Sequence, residues 1–364
     1  MQTWIVTGGA GVIGSNFVRR TAAVRPDVRL VVFDKLTYAG HLESLDGLVD
    51  GVRVAFVRGD IAERDDVRAV VAAERPTAIL NFAAESHVDR SIDGPGEFVR
   101  TNITGTFELL EAARAHLASA SADERTAFRF LHVSTDEVYG SLGPEGAFTE
   151  TTPYAPNSPY SASKAAADHL VRAYHETYGV PTLLTNCSNN YGPYQYPEKL
   201  VPLMIMNALD GKPLPIYGDG LNRRDWLHVL DHCDALLRVM QAGVPGGKYN
   251  VGGMAERANL QMVDALCDAL EREMPAAANA ALRAKGVARY HDLKSFVADR
   301  PGHDRRYAID PSKIARELGF RPTRTFEQGI DETVRWYLAN RSWCEAVTRG
   351  TYERQRLGLQ GTTR

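Results

Sequence analysis

Short apolar runs alternate with helical patterns through the first half of the chain. Runs such as Leu30-Val31-Val32-Phe33 are apolar on both sides, which is typical of strands covered by helices on both faces. The pattern predicts strands at 3–7, 29–33, 53–57, 78–82, 129–133 and 182–186. Helical periodicity predicts helices at 13–24, 64–74, 98–115 and 161–178. This alternation predicts an α/β fold with a Rossmann-type, doubly wound parallel sheet.

The pattern changes after about residue 187, where Asn, Tyr, Pro and Gly become frequent and turns interrupt the apolar segments. We therefore expect two domains in the 364 residues, a larger one and a smaller, mixed α/β one that binds the substrate. The expected ranges are 1–186, with a return of the chain near 226–251, for the larger domain, and 187–225 with 252–364 for the smaller one.

Acidic and basic residues almost balance, because 45 Asp and Glu against 42 Lys and Arg give a formal net charge of −3. Such a chain has no global field for nucleic acid or an anionic membrane, although a local basic pocket is compatible with it. No apolar stretch approaches the roughly 18 residues that span a bilayer, and we expect no signal peptide. We therefore expect a cytoplasmic protein with neither a nucleic-acid nor a membrane partner.

The four cysteines are widely spaced and form no C-x-x-C pair. This spacing argues against a disulfide framework and against a metal site, so no metal is expected. Each cysteine is interpreted as a small buried or half-buried apolar side chain in a reducing compartment. The four residues are Cys187, Cys233, Cys267 and Cys344.

Glycines follow the first predicted strand in Thr7-Gly8-Gly9-Ala10-Gly11-Val12-Ile13-Gly14. Glycine is needed where the backbone turns tightly, approaches a pyrophosphate, and lets the next helix pack against the strand with free N–H groups facing the anion. By itself the motif fits a plain glycine-rich turn equally well. Its place between a strand and a helix favours a dinucleotide site.

A carboxylate stands at the end of the second predicted strand. Asp34 lies 20 residues after Gly14, where it can accept hydrogen bonds from ribose hydroxyls. Asp34 would repel a 2′-phosphate, so NAD is favoured over NADP, and Lys35 weakens that preference without reversing it. Asp60, after the third strand, is expected near the adenine edge. The range 1–186 is therefore interpreted as an NAD-binding domain.

Two Tyr-x-x-x-Lys pairs occur, Tyr160/Lys164 and Tyr290/Lys294. One helical turn places the lysine beside the tyrosine, where an ammonium favours the phenolate and makes the pair an acid/base unit. Tyr160 opens a predicted helix in the nucleotide-binding half and follows a strand that ends in Ser134-Thr135-Asp136-Glu137. The second pair lies in a polar stretch and is interpreted as a coincidence.

The glycine fingerprint, Asn102, a hydroxyl residue at a strand end and Tyr160/Lys164 together resemble the extended short-chain dehydrogenase/reductase family. Six longer motifs narrow the resemblance, over roughly 1–345, to the dTDP-glucose 4,6-dehydratase family within it. The motifs are Ala83-Ala84-Glu85-Ser86-His87-Val88-Asp89-Arg90-Ser91, Ser134-Thr135-Asp136-Glu137-Val138-Tyr139-Gly140, Thr185-Asn186-Cys187-Ser188-Asn189-Asn190-Tyr191-Gly192-Pro193-Tyr194, Pro197-Glu198-Lys199-Leu200, Arg224-Asp225-Trp226 and Ala298-Asp299-Arg300-Pro301-Gly302-His303-Asp304.

The resemblance implies conversion of dTDP-glucose to dTDP-4-keto-6-deoxyglucose. Oxidation at C4 acidifies C5–H, a base removes that proton, an acid protonates the departing C6 hydroxyl, and the hydride returns to C6, so that NAD is regenerated. The resemblance implies that Tyr160, with its pKa lowered by Lys164 and the nicotinamide charge, removes the proton of the C4 hydroxyl, while Thr135 binds the C4 oxygen. It also implies that Glu137 transfers the C5 proton and that Asp136 donates a proton to the C6 hydroxyl.

Consecutive carboxylates on a straight strand would face opposite ways. We therefore expect a helical segment to begin right after Ser134, so that Asp136 and Glu137 can act on the same substrate. Viewed without the resemblance, the Asp-Glu pair would fit a solvated loop or the amino terminus of a helix.

The resemblance also implies the binding residues. Cofactor contacts are expected from Gly8, Gly11, Val12, Ile13, Gly14, Asp34, Lys35, Leu36, Thr37, Asp60, Ile61, Phe82, Ala83, Ala84, Ser86, Thr101, Ser134, Tyr160, Lys164 and Asn190. Substrate contacts are expected from Ser86, Thr135, Asn189, Lys199, Leu200, Pro215, Tyr217, Arg224, Asn259, Arg300 and His303. The cations Lys199, Arg224 and Arg300 suit the diphosphate, although each viewed singly fits a surface salt bridge.

Sibling enzymes share the cofactor site and the Tyr/Lys pair. A UDP-sugar 4-epimerase needs only oxidation and reduction at C4, and a UDP-glucuronate decarboxylase has no C6 hydroxyl to protonate. The adjacent Asp136 and Glu137 therefore favour dehydration. A non-catalytic NAD-sensing protein is a more remote alternative, because it would need no intact Tyr/Lys pair.

Two departures from the family pattern are visible, Leu230 where a glutamate is common and a longer segment at 272–292.

Family members are commonly homodimers joined through a four-helix bundle, which here would use helices near 98–115 and 161–178. Apolar positions such as Leu109, Leu110 and Leu170 fit that interface and the core of a monomer equally.

Overall fold

The computed structural model describes residues 1–300, 302–349, 352, 354 and 357 of the chain. Pro301 of the last sequence motif and the end of the expected smaller domain, from 358 onward, lie outside the described residues. The strands are β1 (Gln2–Thr7), β2 (Val28–Asp34), β3 (Val54–Arg58), β4 (Ala78–Asn81), β5 (Arg129–Thr135), β6 (Thr182–Cys187), β7 (Asn189–Tyr191), β8 (Leu214–Tyr217), β9 (Arg223–His228), β10 (Lys248–Val251), β11 (Glu256–Ala258) and β12 (Lys294–Val297).

Most of the remaining elements are α-helices. They are α1 (Val12–Val24), α2 (Arg64–Glu74), α3 (Val88–Asp93), α4 (Pro95–Phe98), α5 (Thr106–Ala118), α6 (Ala122–Ala127), α7 (Pro159–Tyr178), α8 (Leu200–Leu209), α9 (Val229–Ala242), α10 (Asn259–Glu273), α11 (Ala280–Ala284), α12 (Ser312–Leu318), α13 (Phe326–Ala339) and α14 (Arg341–Thr348). Short 3₁₀ turns lie at Leu42–Leu45, Asp136–Tyr139, Ala276–Ala278 and Tyr290–Leu293, and a wide π turn lies at Val99–Gly105.

Seven parallel strands form the main sheet, in the order β10-β6-β5-β4-β1-β2-β3. The strand order reverses between β1 and β4, as in Rossmann-type sheets. All six predicted strands are present within about two residues of their predicted ends, because their two-sided apolar runs are buried on both faces. One apolar core between the sheet and its helices contains Phe17 and Leu236, and the other contains Val67, Leu109 and Val171. The predicted doubly wound α/β fold is confirmed.

The predicted helix at 98–115 is interrupted. The π turn at Val99–Gly105 stands between α4 and α5 and is anchored by Asn102, whose side chain binds both backbone groups of Glu85 at 2.9 and 3.0 Å. Periodicity cannot show such a turn, because its residues keep a helical pattern of burial. Leu109 and Leu110 on α5 are fully buried within the chain, and Leu170 on α7 is partly buried against the same core.

A second region surrounds a core of its own. Strands β11, β9 and β7 form one small sheet, and β12 pairs with β8 in a second one. Helices α8, α10 and α13 pack around side chains that include Ile205, Met262 and Tyr337. Because β9 leads into α9, which packs against α1, the chain returns to the main sheet before β10 and then leaves it again.

All four cysteines are buried and unpaired, as the sequence predicted. They occupy apolar cores, so they act as small hydrophobic side chains. Within the described part of the chain, no helix combines the length and the apolar character needed to cross a membrane.

Candidate active site

A first cavity opens at the carboxyl ends of the strands, where the strand order reverses. Fifteen predicted cofactor residues lie in its wall: Gly8, Gly11, Val12, Ile13, Gly14, Asp34, Lys35, Thr37, Asp60, Ile61, Phe82, Ala83, Ala84, Ser86 and Thr101. A second cavity adjoins it and shares Ser86, Glu198 and Lys199. Ligands bound in the two cavities would therefore meet.

The glycine loop between β1 and α1 is packed too closely for side chains. Gly8 has a φ of +64°, and a Cβ there would lie 2.5 Å from the backbone nitrogen of Ala83. A Cβ on Gly14 would lie 2.2 Å from the carbonyl oxygen of Gly8. The cavity wall includes the first residues of α1, whose free N–H groups attract anions. The loop therefore fits the pyrophosphate of a dinucleotide such as NAD.

Asp34 lines the first cavity at the end of β2. Its Oδ2 accepts a hydrogen bond from the Ala10 nitrogen at 3.0 Å, and its Oδ1 accepts one from the Leu36 nitrogen at 2.8 Å. Each oxygen keeps a lone pair for a ribose hydroxyl. Lys35 donates to Asp60 Oδ2 at 3.4 Å, so its ammonium is already paired with a carboxylate. This arrangement suits NAD better than NADP.

Five predicted cofactor residues lie outside the wall of this cavity: Leu36, Ser134, Tyr160, Lys164 and Asn190. Leu36 has a φ of +58°, and its side chain packs against the core of the sheet. Any contact between Leu36 and a cofactor would therefore be made by its backbone. Ser134 donates to Asp168 at 3.0 Å, and Asn190 donates to the Ser188 carbonyl at 2.9 Å. Their contacts with a cofactor remain predictions.

The second cavity has a volume of about 500 Å³. Ten of the eleven predicted substrate residues line it: Ser86, Asn189, Lys199, Leu200, Pro215, Tyr217, Arg224, Asn259, Arg300 and His303. Pro215 and Tyr217 come from β8, and Asn259 begins α10. The eleventh, Thr135, is 8% exposed and does not belong to this wall.

Two cations of the second cavity, Lys199 and Arg224, donate to backbone carbonyls. Lys199 Nζ donates to the Ser86 carbonyl at 2.8 Å. Arg224 is 4% exposed and donates to two backbone carbonyls at 2.7 and 2.9 Å. Among the described residues, neither has a carboxylate within ion-pair distance, whereas Arg300 lies 3.3 Å from Asp89. Buried cations of this kind are costly unless an anion meets them, so the wall suits a diphosphate.

Asp136 and Glu137 open the 3₁₀ turn that follows β5. The predicted helical turn is therefore present, and it begins at Asp136, directly after Thr135. The Oγ1 of Thr135 accepts a hydrogen bond from the Glu137 nitrogen at 3.2 Å. Asp136 is 1% exposed, and its Oδ2 has no hydrogen-bond partner among the described residues. Burial, together with the charges of Glu137 and Asp225, raises the pKa of Asp136 well above its ordinary value.

Glu137 has different surroundings, because it lines the second cavity. Burial raises the pKa of its carboxyl, while the cations Arg300, Arg224 and Lys199 lower it in part. The pKa of Asp136 is thus raised well above its ordinary value, whereas three cations partly offset the rise at Glu137. Separated environments of this kind give two carboxyls an acid role and a base role.

Tyr160 and Lys164 lie one turn apart near the start of α7 and are 8% and 3% exposed. Burial, followed by the charge of Glu137, raises the pKa of Tyr160 well above its ordinary value. The lowering was expected from Lys164 together with the charge of a bound nicotinamide, and it stays a prediction for the NAD-bound enzyme. Lys164 donates to the Val133 carbonyl at 2.9 Å, so β5 holds it in place.

The second Tyr-x-x-x-Lys pair is structural. Tyr290 is fully buried and donates to the Met274 carbonyl at 3.0 Å. Lys294 donates to Asp264 Oδ1 at 2.6 Å. Neither residue lines one of the two cavities, which confirms that this pair is a coincidence of spacing.

Several wall residues were not among the predicted contacts. Glu198 lines both cavities and pairs with Arg90 at 2.9 Å, and the Arg90 guanidinium lies 3.8 Å from the centre of the Tyr38 ring. The motif around Lys199 contains Glu198 and could have indicated it. Tyr352 and Arg354, near the carboxyl end, line the second cavity without belonging to any of the motifs.

Comparison with known proteins shows the family to which the chain belongs. A protein-family model described as GDP-mannose 4,6 dehydratase matches residues 5–333. A dTDP-glucose 4,6-dehydratase of Xanthomonas campestris pv. campestris (strain B100) is 56% identical over 358 residues, which are 98% of this chain and 99% of that one. The counterpart in Neisseria meningitidis serogroup B is 56% identical over 359 residues, with the same coverage. The chain belongs to the dTDP-glucose 4,6-dehydratase family.

A solved structure of the same family agrees with the fold. The dTDP-glucose 4,6-dehydratase of Streptomyces venezuelae, determined with NAD and dTDP bound, is 45% identical and has a TM-score of 0.84. The match covers 95% of this chain and all of that one. The fold, the NAD dependence and the nucleotide-sugar chemistry expected from the sequence are thus those of the family.

The two departures from the dTDP-glucose 4,6-dehydratase pattern lie outside both cavity walls. Leu230 is partly buried in the first turn of α9, where its nitrogen donates to His228 Nδ1 at 3.3 Å. The segment at 272–292 contains the end of α10, two short 3₁₀ turns and α11. It is fastened to α8 by Asn279, which donates to the Leu209 carbonyl at 3.0 Å.

Proposed function

We propose that the chain converts dTDP-glucose to dTDP-4-keto-6-deoxyglucose with NAD. The observation that carries the proposal is the pair Asp136 and Glu137, two consecutive carboxyls in unlike environments beside the cavity that holds the predicted substrate residues. When bound, NAD accepts a hydride from C4 and returns it to C6. The remaining steps are proton transfers that side chains of this chain can perform.

Elimination of water needs a base at C5 and an acid at C6. Glu137 faces the cavity with three cations nearby, which suits a carboxylate that removes the C5 proton. The buried Asp136, whose pKa is raised well above its ordinary value, suits a donor to the departing C6 hydroxyl. Because the turn at Asp136–Tyr139 begins at once, both carboxyls can reach the same side of the substrate.

Oxidation at C4 needs a group that removes the hydroxyl proton. Tyr160 is the proposed base, and Thr135 is the proposed partner of the C4 oxygen. Thr135 lies at the end of β5 and Tyr160 at the start of α7, so two fixed elements set the spacing between them. Both side chains are 8% exposed, which excludes most water from the reacting oxygen.

The nucleotide part of the substrate is proposed to lie along the far wall of the second cavity. Lys199, Arg224 and Arg300 would bind the diphosphate, with Asn259 and His303 beside it. The strand β8, which carries Pro215 and Tyr217, would flank the base. The Lys199 ammonium joins both cavities, so it stands where sugar and cofactor would meet.

Other nucleotide-sugar reactions fit this site less well. A 4-epimerase only oxidises and reduces C4, so it would not use Asp136 as an acid or Glu137 as a base. A decarboxylase acting on a glucuronate would not need an acid at Asp136. The two carboxyls, with pKa values raised to different extents, therefore support dehydration.

Incubation with dTDP-glucose tests the proposal. The expected product has lost one water and shows an absorbance rise on addition of base. UDP-glucose and GDP-mannose serve as comparison substrates, with turnover expected to be lower. If no hexose nucleotide of this set loses water, the dehydratase assignment is excluded.

We further propose the domain division stated from the sequence, with NAD bound by 1–186 and the substrate by 187–225 and 252–364. The position of β10 in the main sheet supports the return of the chain near 226–251.

A cytoplasmic location is supported by the four unpaired cysteines. A homodimer is proposed through α5 and α7, whose outer positions include Tyr178, which is 51% exposed. Sedimentation equilibrium would measure the dimer.

A further inference from the structure

A buried carboxylate, Asp168, lies one helical turn beyond Lys164 on α7, and none of the steps above uses it. Tyr160, Lys164 and Asp168 are spaced by four residues each, so they share one face of the helix. Asp168 is 2% exposed. A carboxylate buried to this extent is costly unless several donors surround it.

Donors from three other segments meet Asp168. Its Oδ2 accepts hydrogen bonds from Tyr154 Oη at 2.7 Å, Ser134 Oγ at 3.0 Å and Asn186 Nδ2 at 3.1 Å. Its Oδ1 lies 3.4 Å from His132 Nε2. Strand β5, strand β6 and the loop before α7 therefore converge on one carboxylate.

The contacts of Asn81 assign the tautomer of His132. Thr7 donates to Asn81 Oδ1 at 2.7 Å, and Asn81 Nδ2 lies 3.2 Å both from Thr106 and from His132 Nδ1. The amide therefore donates to Nδ1, so Nε2 carries the ring hydrogen, and this nitrogen lies 3.4 Å from both Asp168 Oδ1 and Lys164 Nζ. Burial lowers the pKa of His132 to about 4, so the ring is neutral near pH 7.

Asp168 supplies the negative charge for Lys164. Burial lowers the pKa of the Lys164 ammonium, and the Asp168 carboxylate is the first of the charges that raise it again. Burial would raise the pKa of Asp168, yet the His132 hydrogen bond and the nearby charges hold it below its ordinary value. Asp168 is therefore ionised, and it favours the charged form of Lys164.

Asp168 also ties the end of β5 to α7. Ser134 binds it directly, and Asn186 Nδ2 donates both to Asp168 and to the Thr135 carbonyl, at 3.1 and 3.0 Å. Thr135 lies at the end of β5, whereas Tyr160 lies on the helix that carries Asp168. The carboxylate thus fixes the distance between the two groups proposed to bind the C4 oxygen.

We propose that Asp168 is a positioning residue for the oxidation at C4, which keeps Lys164 charged and holds Thr135 in register with Tyr160. This inference rests on the proposed dehydratase function. It assigns no contact between Asp168 and the substrate. The titratable and charged groups that face Lys164 or Asp168 are His132, Tyr139, Tyr154, Cys187 and Lys248.

The test uses the NAD-loaded enzyme and dTDP-6-deoxyglucose, which can be oxidised at C4 but has no C6 hydroxyl to lose. The rate of cofactor reduction is measured across pH in the parent and in Asp168→Asn. We expect the rate to fall by up to about 100-fold, because small misplacements of reacting groups have effects of that size. We also expect the alkaline limb of the pH–rate profile to move to lower pH by about one unit, because Lys164 loses the negative charge of Asp168.

Two control variants separate charge from packing. Tyr154→Phe removes one hydrogen bond to Asp168 and keeps the charge, so the alkaline limb should stay where it is. Lys248→Met removes a lysine whose pKa burial lowers to about 8, and it too should leave the limb in place. The proposal would be overturned if the alkaline limb moved as far in either control variant as in Asp168→Asn. It would also be overturned if Asp168→Asn had the same rate and the same alkaline limb as the parent enzyme.

Asp168→Glu keeps the proposal testable if Asp168→Asn does not fold. It retains the charge, so a slower enzyme with an unmoved alkaline limb is expected, and a moved limb contradicts the proposal. The parent is assayed with dTDP-glucose in parallel. Absence of a dehydrated product there would remove the proposed function and this inference with it, whereas an active parent confines any failure to Asp168.

Discussion

Asp136 and Glu137 are neighbours in the chain with opposite surroundings. The Asp136 carboxyl is 1% exposed, its Oδ2 has no partner among the described residues, and burial raises its pKa strongly. The Glu137 carboxyl lines the substrate cavity, where three cations partly offset the effect of burial on its pKa. The proposed acid and the proposed base are therefore consecutive residues of one 3₁₀ turn.

The first prediction concerns the acid. Asp136→Asn keeps the shape of the side chain and removes the proton that would be donated to the C6 hydroxyl. We expect oxidation at C4 to continue while elimination slows by about 100-fold or more, so that reduced cofactor accumulates. Stopped-flow absorbance with dTDP-glucose measures both steps. Normal turnover without accumulation would assign the acid role to another residue.

The second prediction concerns the base and its pH dependence. Glu137 acts in its ionised form, and burial raises its pKa above the ordinary value of 4.5. Exchange of C5–H of the 4-keto product with deuterium oxide should therefore slow as the pH falls through a value above 4.5. NMR follows the exchange. Glu137→Gln should abolish it at every pH, whereas Asp136→Asn should keep it, and exchange retained in Glu137→Gln would contradict the assignment.

The cofactor half of the site was largely predictable from the sequence. The apolar runs place β1, β2 and β4 within two residues, and the glycine spacing locates the loop after β1, because steric exclusion at Gly8 and Gly14 leaves little choice of residue. Asp34 follows from its place at the end of β2. The interruption of the helix at Val99–Gly105 was not predictable, since it depends on a contact between Asn102 and the backbone of Glu85.

The third prediction concerns the diphosphate. Arg224→Met should weaken dTDP binding by about 1.5 to 3 kcal/mol, because a hydrogen bond between charged groups has a value of that order. Arg223→Met is the matched control: it is the adjacent residue of β9, its side chain is 53% exposed, and it pairs with Glu256 at 2.8 Å instead of lining the cavity. Isothermal titration with dTDP measures both. Equal losses in the two variants would argue against a specific role for Arg224.

The fourth prediction concerns the glycine loop. Gly14→Ala would place a Cβ 2.2 Å from the Gly8 carbonyl oxygen, so we expect destabilisation by about 1 to 3 kcal/mol and loss of bound NAD. Gly96→Ala is the control, because a Cβ at Gly96 meets nothing within 4 Å. Thermal unfolding and the cofactor content of the purified protein are the readouts. Full NAD occupancy in Gly14→Ala would show that α1 can move away from the loop.

The substrate half was predictable only through the resemblance to a family. Lys199, Arg224 and Arg300 are far apart in the sequence, and no periodicity connects them. The raised pKa of Asp136 was also not predictable, because it depends on burial and on Asp225, which comes from another strand. For Tyr160, the sequence spacing shows Lys164 but not the burial that raises the pKa of the phenol.

One active site is proposed to oxidise C4, remove water and return the same hydride to C6. A single incubation with dTDP-glucose that carries deuterium at C4, followed by mass spectrometry and NMR of the product, tests all three steps. We expect a 4-keto product that has lost one water and carries the deuterium at C6. Deuterium that returns to C4 of a product with unchanged mass, or that is lost to the solvent, would contradict it.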